Sequence, residues 1–477
     1  MKKLLCATLV ASLAILAGCL GDGGSNPGSV STPTAKNVIF FLGDGMGITT
    51  MTAARIYKVG EDGDLTMDTL PETAFVKTYS NNAQVTDSAP SMSAYMTGVK
   101  MNNEVISMTA ATNAFDAQGK DYFNGFETTC PSGNGQAVTT LLELAKIRGR
   151  SVGAVTTTRI THATPAATYS HICHRDAENT IAAQLVPGGT SFNGALLDGV
   201  DVVMGGGRKH FLPTSVSGGA RIDNRNLVDE MKSRGYAYAS NKSEFDSIQA
   251  GNSTKLLGLF SASHMSYDLD RSPALEPSLA EMTSKAIDIL SKNSKGFFLM
   301  VEGGRIDHAL HETTARKALQ DTVAFDDAIK TALDKMRLID PNLSNTIIVV
   351  TADHDHTLVL NGYAKRTGPT SEVNPGVLGL LKNVVTGALQ GDANGSSYTI
   401  IGFGNGENRP LTRGALSDAQ VYDKSYHQEA AIPMAVGSET HGGADVFLGA
   451  IGNGSDKFFG VIDNNTVFDI LRGIAGL

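Results

Sequence analysis

Polar motifs set directly behind short apolar runs constrain the fold of this chain more than any other feature. Asn37 to Leu42 (NVIFFL) is almost wholly apolar and is followed by Gly43-Asp44-Gly45. Phe297 to Val301 leads into Glu302-Gly303-Gly304, and Thr346 to Val350 leads into Thr351-Ala352-Asp353-His354. Further runs occur at 151–155, 202–204 and 446–451, with helical patterns between the runs at 137–148, 277–291 and 312–337. A strand buried on both faces reads as a continuous apolar run, and its alternation with helices belongs to a parallel arrangement. The expected fold is therefore α/β, a mainly parallel central sheet with helices on both faces. In such sheets ligands gather beyond the carboxyl ends of the strands, where these polar motifs fall.

The chain opens with Lys2 and Lys3, an apolar run from Leu4 to Ala17, and then Gly18-Cys19. A charged start, a short apolar run and small residues before a cut site make an export signal. Its end resembles a bacterial lipobox, so residues 1–18 read as a lipoprotein-type signal peptide with a lipid on Cys19. Plain secretion is the alternative. Leu20 rather than Asp follows the cysteine, which in Gram-negative bacteria favours the outer membrane. The expected location is periplasmic, anchored through that lipid. Residues 19–35 are rich in Gly, Ser and Pro and read as a flexible tether, ahead of a folded domain over 36–477. Within it, 361–437 has weak periodicity and many Gly, Asn, Pro and Ser, and reads as an insertion. A formal charge of −9 lacks the basic face that nucleic acid requires, but a local cation cluster still suits small anions. Cys130 and Cys173 are the cysteines left outside the signal region. Export favours a disulfide between them, with two free thiols as the alternative.

Histidines and carboxylates cluster in three stretches: Val301 to His311 (VEGGRIDHALH), Thr351 to His356 (TADHDH) and Glu439 to Gly443 (ETHGG). Asp and neutral His suit zinc, whereas carboxylates and hydroxyls suit magnesium. Asp307 and His311 are four apart and share one face if helical. Ser88 opens a run of small residues behind Asp87. That pair reads either as a plain helix cap or as a phosphate site, because a helix N-terminus offers free N–H groups and a positive dipole end.

The segments TDSAPSMSAYMTGVK, FFLGDGMG, TTTRITHATPA, GGGRKHF, FFLMVEGGRIDHALH, VTADHDH and ETHGG resemble, in order, those of the alkaline phosphatase family. The resemblance spans Asn37 to the C-terminus. It implies that Ser88 is the nucleophile, that Arg175 binds phosphate, and that Asp87 helps to hold Arg175. Asp307, His311 and His441 would hold a first zinc. Asp44, Asp353 and His354 would hold a second, with Ser88 as a further ligand. Asp44 would bridge to one magnesium, completed by Thr164 and Glu302. His162 and His308 stand where some bacterial members carry Asp and Lys, and match animal-type members instead. His162 is expected beside the magnesium and His308 beside the phosphate. The implied reaction hydrolyses phosphate monoesters to alcohol and inorganic phosphate by double in-line displacement through a phosphoserine. The implied assembly is a homodimer, with the insertion at its interface. Ser261 stands where a calcium-binding carboxylate is expected in animal-type members, so no calcium is expected. A sulfatase is disfavoured by Met92, where that motif carries arginine. Many phosphodiesterases use threonine where this chain has Ser88, and a phosphomutase lacks Arg175 in this context. A non-catalytic metal-binding lipoprotein is disfavoured because no mapped position is lost.

Overall fold

A computed structural model describes residues 34–477; the signal peptide, Cys19 and most of the tether lie outside them. The tether expected up to residue 35 ends earlier. Ala35 is already buried, and its N–H donates to the Ile474 carbonyl.

Ten strands form the central sheet: β1 (Asn37–Gly43), β2 (Glu72–Lys77), β3 (Ser151–Arg159), β4 (Val202–Gly206), β5 (Ala237–Ala239), β6 (Leu256–Leu259), β7 (Phe297–Gly303), β8 (Thr346–Ala352), β9 (Val446–Gly452) and β10 (Gly460–Asp463). Their order is β10-β2-β9-β8-β1-β7-β3-β4-β6-β5. All pairings are parallel except the two made by β9, which runs antiparallel to β8 and to β2. The apolar run at 446–451 thus forms a strand but reverses direction, because pairing direction is set by the route of the chain and not by the run itself.

Helices cover both faces. α1 (Ile48–Val59), α2 (Ser88–Thr97), α3 (Leu141–Ile147), α4 (Ala163–Tyr169), α5 (Leu279–Leu290), α6 (Arg305–His311), α7 (Ala315–Ile339) and α8 (Asn464–Ala475) follow in chain order. α1, α5 and α7 pack together on one side, and α2, α4 and α8 on the other. The central strands β7 and β8 are buried along their whole length, as strands covered on both faces must be.

Register decides where the polar motifs go. Leu42 of β1 pairs with Glu302 and with Thr351, and Gly43 pairs with Gly303 and with Ala352. Thr156 of β3 also pairs with Glu302. Asp44, Glu302 and Asp353 therefore leave the sheet together at one carboxyl edge. Gly45 follows at φ 66°, and a Cβ there would lie 2.5 Å from the His356 ring. Only glycine lets the backbone turn left-handed this close to another motif.

The stretch read as an insertion supplies Ile401–Gly406 and Ala430–Pro433 to a small sheet whose remaining strand, Leu358–Leu360, lies just before it. Its buried residues Val377, Leu381, Ile401 and Phe403 join the same apolar core as the main sheet. A two-residue ladder closes its base, pairing Asp355 with Gly442 and His356 with His441.

Candidate active site

Ser88 is the first residue of α2. The preceding Asp87 caps the helix by accepting from Ala89 N–H at 2.8 Å, and Gly98 ends it in the left-handed conformation. All ten residues of α2 are buried, from Ser88 to Thr97, with Met92, Tyr95 and Met96 among its larger side chains. Ser88 Oγ lies 3.2 Å from His354 Nε2 and 3.4 Å from Asp44 Oδ1.

Arg175 reaches the same helix start. Its Nη1 donates to Asp87 at 3.1 Å and its Nη2 to His162 Nε2 at 3.0 Å. Burial opposes the Arg175 charge, but Asp87 and Glu104 raise its pKa and keep it cationic. Two residues before it, Cys173 is bonded to Cys130, with Cα atoms 6.1 Å apart. That bond ties the arginine loop to the segment around Cys130.

Three groups of potential ligands surround Ser88. The first is Asp307, His311, His356 and His441. α6 places Asp307 and His311 on one face, while the ladder at the base of the insertion brings in His356 and His441. The partner oxygens assign the imidazole tautomers. His311 Nδ1 donates to the Glu439 carbonyl and His441 Nδ1 to the Thr86 carbonyl. Burial holds His441 well below the usual imidazole range and so neutral, which leaves its Nε2 with a lone pair 3.2 Å from His311 Nε2. The His311 Nε2 also lies 3.3 Å from Asp307 Oδ1. Burial opposes a charge on His311, but Asp307 raises its pKa. His356 differs, since Glu439 holds its Nδ1 and Asp307 accepts from its Nε2 at 2.8 Å. Burial opposes its charge, yet Glu439 and Asp307 push it up to about 10. His356 therefore orients Asp307. Burial alone would raise Asp307, but His311 and His356 hold it well below the usual carboxylate range.

The second group joins Asp44, Asp353 and His354. His354 Nδ1 donates to the Asp355 carbonyl at 3.2 Å, so its Nε2 lone pair faces Asp44 at 3.4 Å and Asp353 at 3.5 Å. Burial pushes His354 down to about 3, so it stays neutral. Asp353 Oδ1 accepts from Gly45 N–H and His354 N–H, whereas its Oδ2 has no partner. Burial pushes Asp353 up to about 6. It also lifts Asp44 well above its usual value, reinforced by Asp353 and Asp307.

The third group comprises Asp44, His162 and Glu302, with Thr164 at the start of α4. Asp44 Oδ2, Thr164 Oγ1 and Glu302 Oε1 are buried oxygens without a hydrogen-bond partner. The other Glu302 oxygen accepts from Thr156 and Thr158. Burial pushes Glu302 up to about 7. His162 spends its Nε2 lone pair on Arg175, which leaves its Nδ1 as an N–H and not a ligand atom. His308 donates Nδ1 to the Gly304 carbonyl at 3.2 Å and lies against His264, their ring centres 4.1 Å apart. Its ring also faces that of His162, with ring centres 5.4 Å apart.

Buried polar atoms are normally paired. Here three carboxylate oxygens and one hydroxyl are buried without partners, beside the Nε2 atoms of His311, His354 and His441. That donor chemistry fits divalent cations: nitrogen and carboxylate in the first two groups, oxygen in the third. The family model for alkaline phosphatase matches residues 35–477.

The chain belongs to the alkaline phosphatase family. It is 39% identical over 462 residues to the alkaline phosphatase of Gadus morhua, covering 91% of this chain and 90% of that protein. It is 38% identical over 465 residues to the tissue-nonspecific isozyme of Homo sapiens, covering 92% and 83%. The alkaline phosphatase of Thermus thermophilus superposes with a TM-score of 0.65 at 24% identity, covering 95% of this chain and 96% of that one. A histidine-to-aspartate mutant of TAB5 alkaline phosphatase, with magnesium bound in its M3 site, superposes with a TM-score of 0.64 at 23% identity, covering 94% and 99%. As a member of the alkaline phosphatase family, the chain is a phosphoric monoester hydrolase.

Sequence reasoning passed over His356 and Glu439. The signal for His356 was present: Asp353-His354-Asp355-His356 alternates at the period of a strand, and residues 355–356 are one. Nothing local to Glu439 marked its carboxylate as the holder of a histidine 83 residues away.

Proposed function

We propose that this chain hydrolyses phosphate monoesters through a phosphoserine on Ser88, with two zinc ions and one magnesium ion. The observation that carries the proposal is the position of Ser88 Oγ, at a helix start and within 3.5 Å of both Asp44 and His354. Asp307, His311 and His441 would hold the first zinc. Asp44, Asp353, His354 and Ser88 Oγ would hold the second. Asp44, Thr164 and Glu302 would hold magnesium, with His162 alongside. When bound, such cations supply Lewis acidity that favours the Ser88 alkoxide and charge on the leaving oxygen.

The chain's own groups do the rest. Arg175 offers a planar fork to two non-bridging phosphate oxygens, and Asp87 fixes its orientation. The positive end of the α2 dipole adds stabilisation, although Asp87 takes the Ala89 N–H and Pro90 has none. Ser88 Oγ attacks phosphorus in line, the P–O bond to the alcohol breaks, and the leaving oxygen takes up a proton. Water then attacks phosphorus, the Ser88 Oγ–P bond breaks, and inorganic phosphate departs. His308 acts on phosphate through an intervening water.

The expected export signal and Cys19 support a periplasmic lipoprotein on the outer membrane. A homodimer is the assembly that the family resemblance supports, and the insertion exposes Val373, Val385, Leu411 and Val436.

Ser88→Ala tests the reaction. Monoester turnover should fall by about 10³-fold or more while elemental analysis still finds zinc. Wild-type turnover in that variant overturns the serine assignment. Parallel assays on a phosphodiester and a sulfate ester should show the monoester to be preferred.

A further inference from the structure

Glu104 stands beside the arginine clamp but has no part in the reaction described above. Its backbone bridges the clamp: Glu104 N–H donates to Asp87 Oδ2, and its carbonyl accepts from Arg175 N–H at 2.9 Å. It does so at φ 72°, a conformation that residues with long side chains seldom adopt. Its carboxylate is half-buried and, among the described residues, forms no hydrogen bond or ion pair. Glu143, a structural carboxylate, is by contrast bonded through both oxygens. An unpaired carboxylate held in a strained backbone next to the phosphate-binding cation points to a functional role.

We propose that Glu104 is a positioning residue that competes with bound phosphate for the charge of Arg175 and so lowers retention of inorganic phosphate. This rests on Arg175 being the phosphate clamp. The charged groups facing Glu104 are Asp87, Arg175, Asp176 and Asp121, and Asp121 in turn faces His174 at 3.4 Å. Burial and Asp87 push Glu104 up to about 7, while Arg175 pulls it down. The competitor is thus ionised above neutral pH and neutral below it. Phosphate is held most weakly, relative to a chain without this carboxylate, on the alkaline side.

The test uses the metal-loaded enzyme with Glu104→Gln and Glu104→Gly, and reads the inhibition constant of inorganic phosphate from pH 6 to 10. Removing one unit charge near the clamp should tighten phosphate by about five-fold at pH 9. The gain should shrink below pH 7. Gly accepts the left-handed backbone, so agreement between the two variants separates charge from backbone strain. An unchanged inhibition constant in Glu104→Gln, a change confined to Glu104→Gly, or tightening that ignores pH overturns the proposal. Turnover and phosphate inhibition in the wild type keep the clamp reading intact in each of those cases. If the wild type neither turns over monoester nor binds phosphate, the clamp reading fails and the Glu104 proposal fails with it.

Discussion

Two buried polar clusters meet the 171–175 loop and are built in opposite ways. At one end His171 donates to Ser107 and Glu143, each at 2.7 Å, and Glu143 also accepts from Thr140 and Asn193. Every charged atom there has a protein partner. At the other end Arg175 faces a region where Asp44, Glu302, Thr164 and Asp353 each keep an unpartnered buried oxygen. Both clusters lie largely out of solvent, so burial alone does not separate their behaviour. Satisfaction does: a complete network needs nothing further, whereas one with converging free lone pairs is stable only with a ligand.

The largest expected effect comes from exhaustive chelation. Turnover of a phosphate monoester should fall by at least about 10³-fold, and the melting temperature should drop because cation binding is linked to folding. Hydrogen exchange sharpens the contrast. Exchange should rise in 302–311 and 351–356 and stay unchanged in 140–146, around Glu143. Equal loosening of both clusters, or turnover retained in protein shown to be metal-free, breaks the comparison.

A smaller effect tests His356, the histidine of the ligand cluster held by a carboxylate at each nitrogen. His356→Asn removes the group that orients Asp307 but deletes no lone pair aimed into the site. Loss of such an outer partner typically weakens metal affinity by about 10–100-fold. Zinc titration should show that loss, and excess zinc should restore turnover. Turnover lost at saturating zinc would instead make His356 a direct ligand.

The contrast between the clusters also explains what was legible in the sequence. Strands β1, β7 and β8 announce themselves because burial on both faces favours apolar residues along their middles, and the first charged residue of each run, Asp44, Glu302 or Asp353, therefore falls at the carboxyl edge of the sheet. The start of α2 at Ser88 was legible through its Asp cap. The short strands β5 and β6 were not, since a run such as Leu256–Leu259 is too short to separate strand from helix. The reversal of β9 and the pairing of His356 with His441 depend on residues 85 positions or more apart. The pattern expected as a helix at 312–337 is α7, which begins three residues later, at Ala315, because Thr313 takes φ 53°. Glu104 was illegible for a different reason: its distinguishing feature is a backbone angle that favours glycine at a position where glycine is absent.

The smallest expected effect belongs to the satisfied cluster, and its sign follows from linkage. Burial opposes the charge on His171, but Glu143 raises its pKa above the ordinary value. A histidine raised in the folded state contributes stability that is fully present below its unfolded pKa, about 6.5. The contribution is lost as pH rises through the folded value. His171→Asn keeps a donor but removes that charge. Its melting temperature should therefore fall below wild type by about 1–3 °C at pH 6, with a smaller gap at pH 9. Metal content should not change at either pH. A gap that widens toward pH 9 would mean that His171 is neutral in the folded protein. A loss of zinc on this substitution would mean that the two clusters are one network, and that the completeness of the Glu143 network does not insulate it from the site.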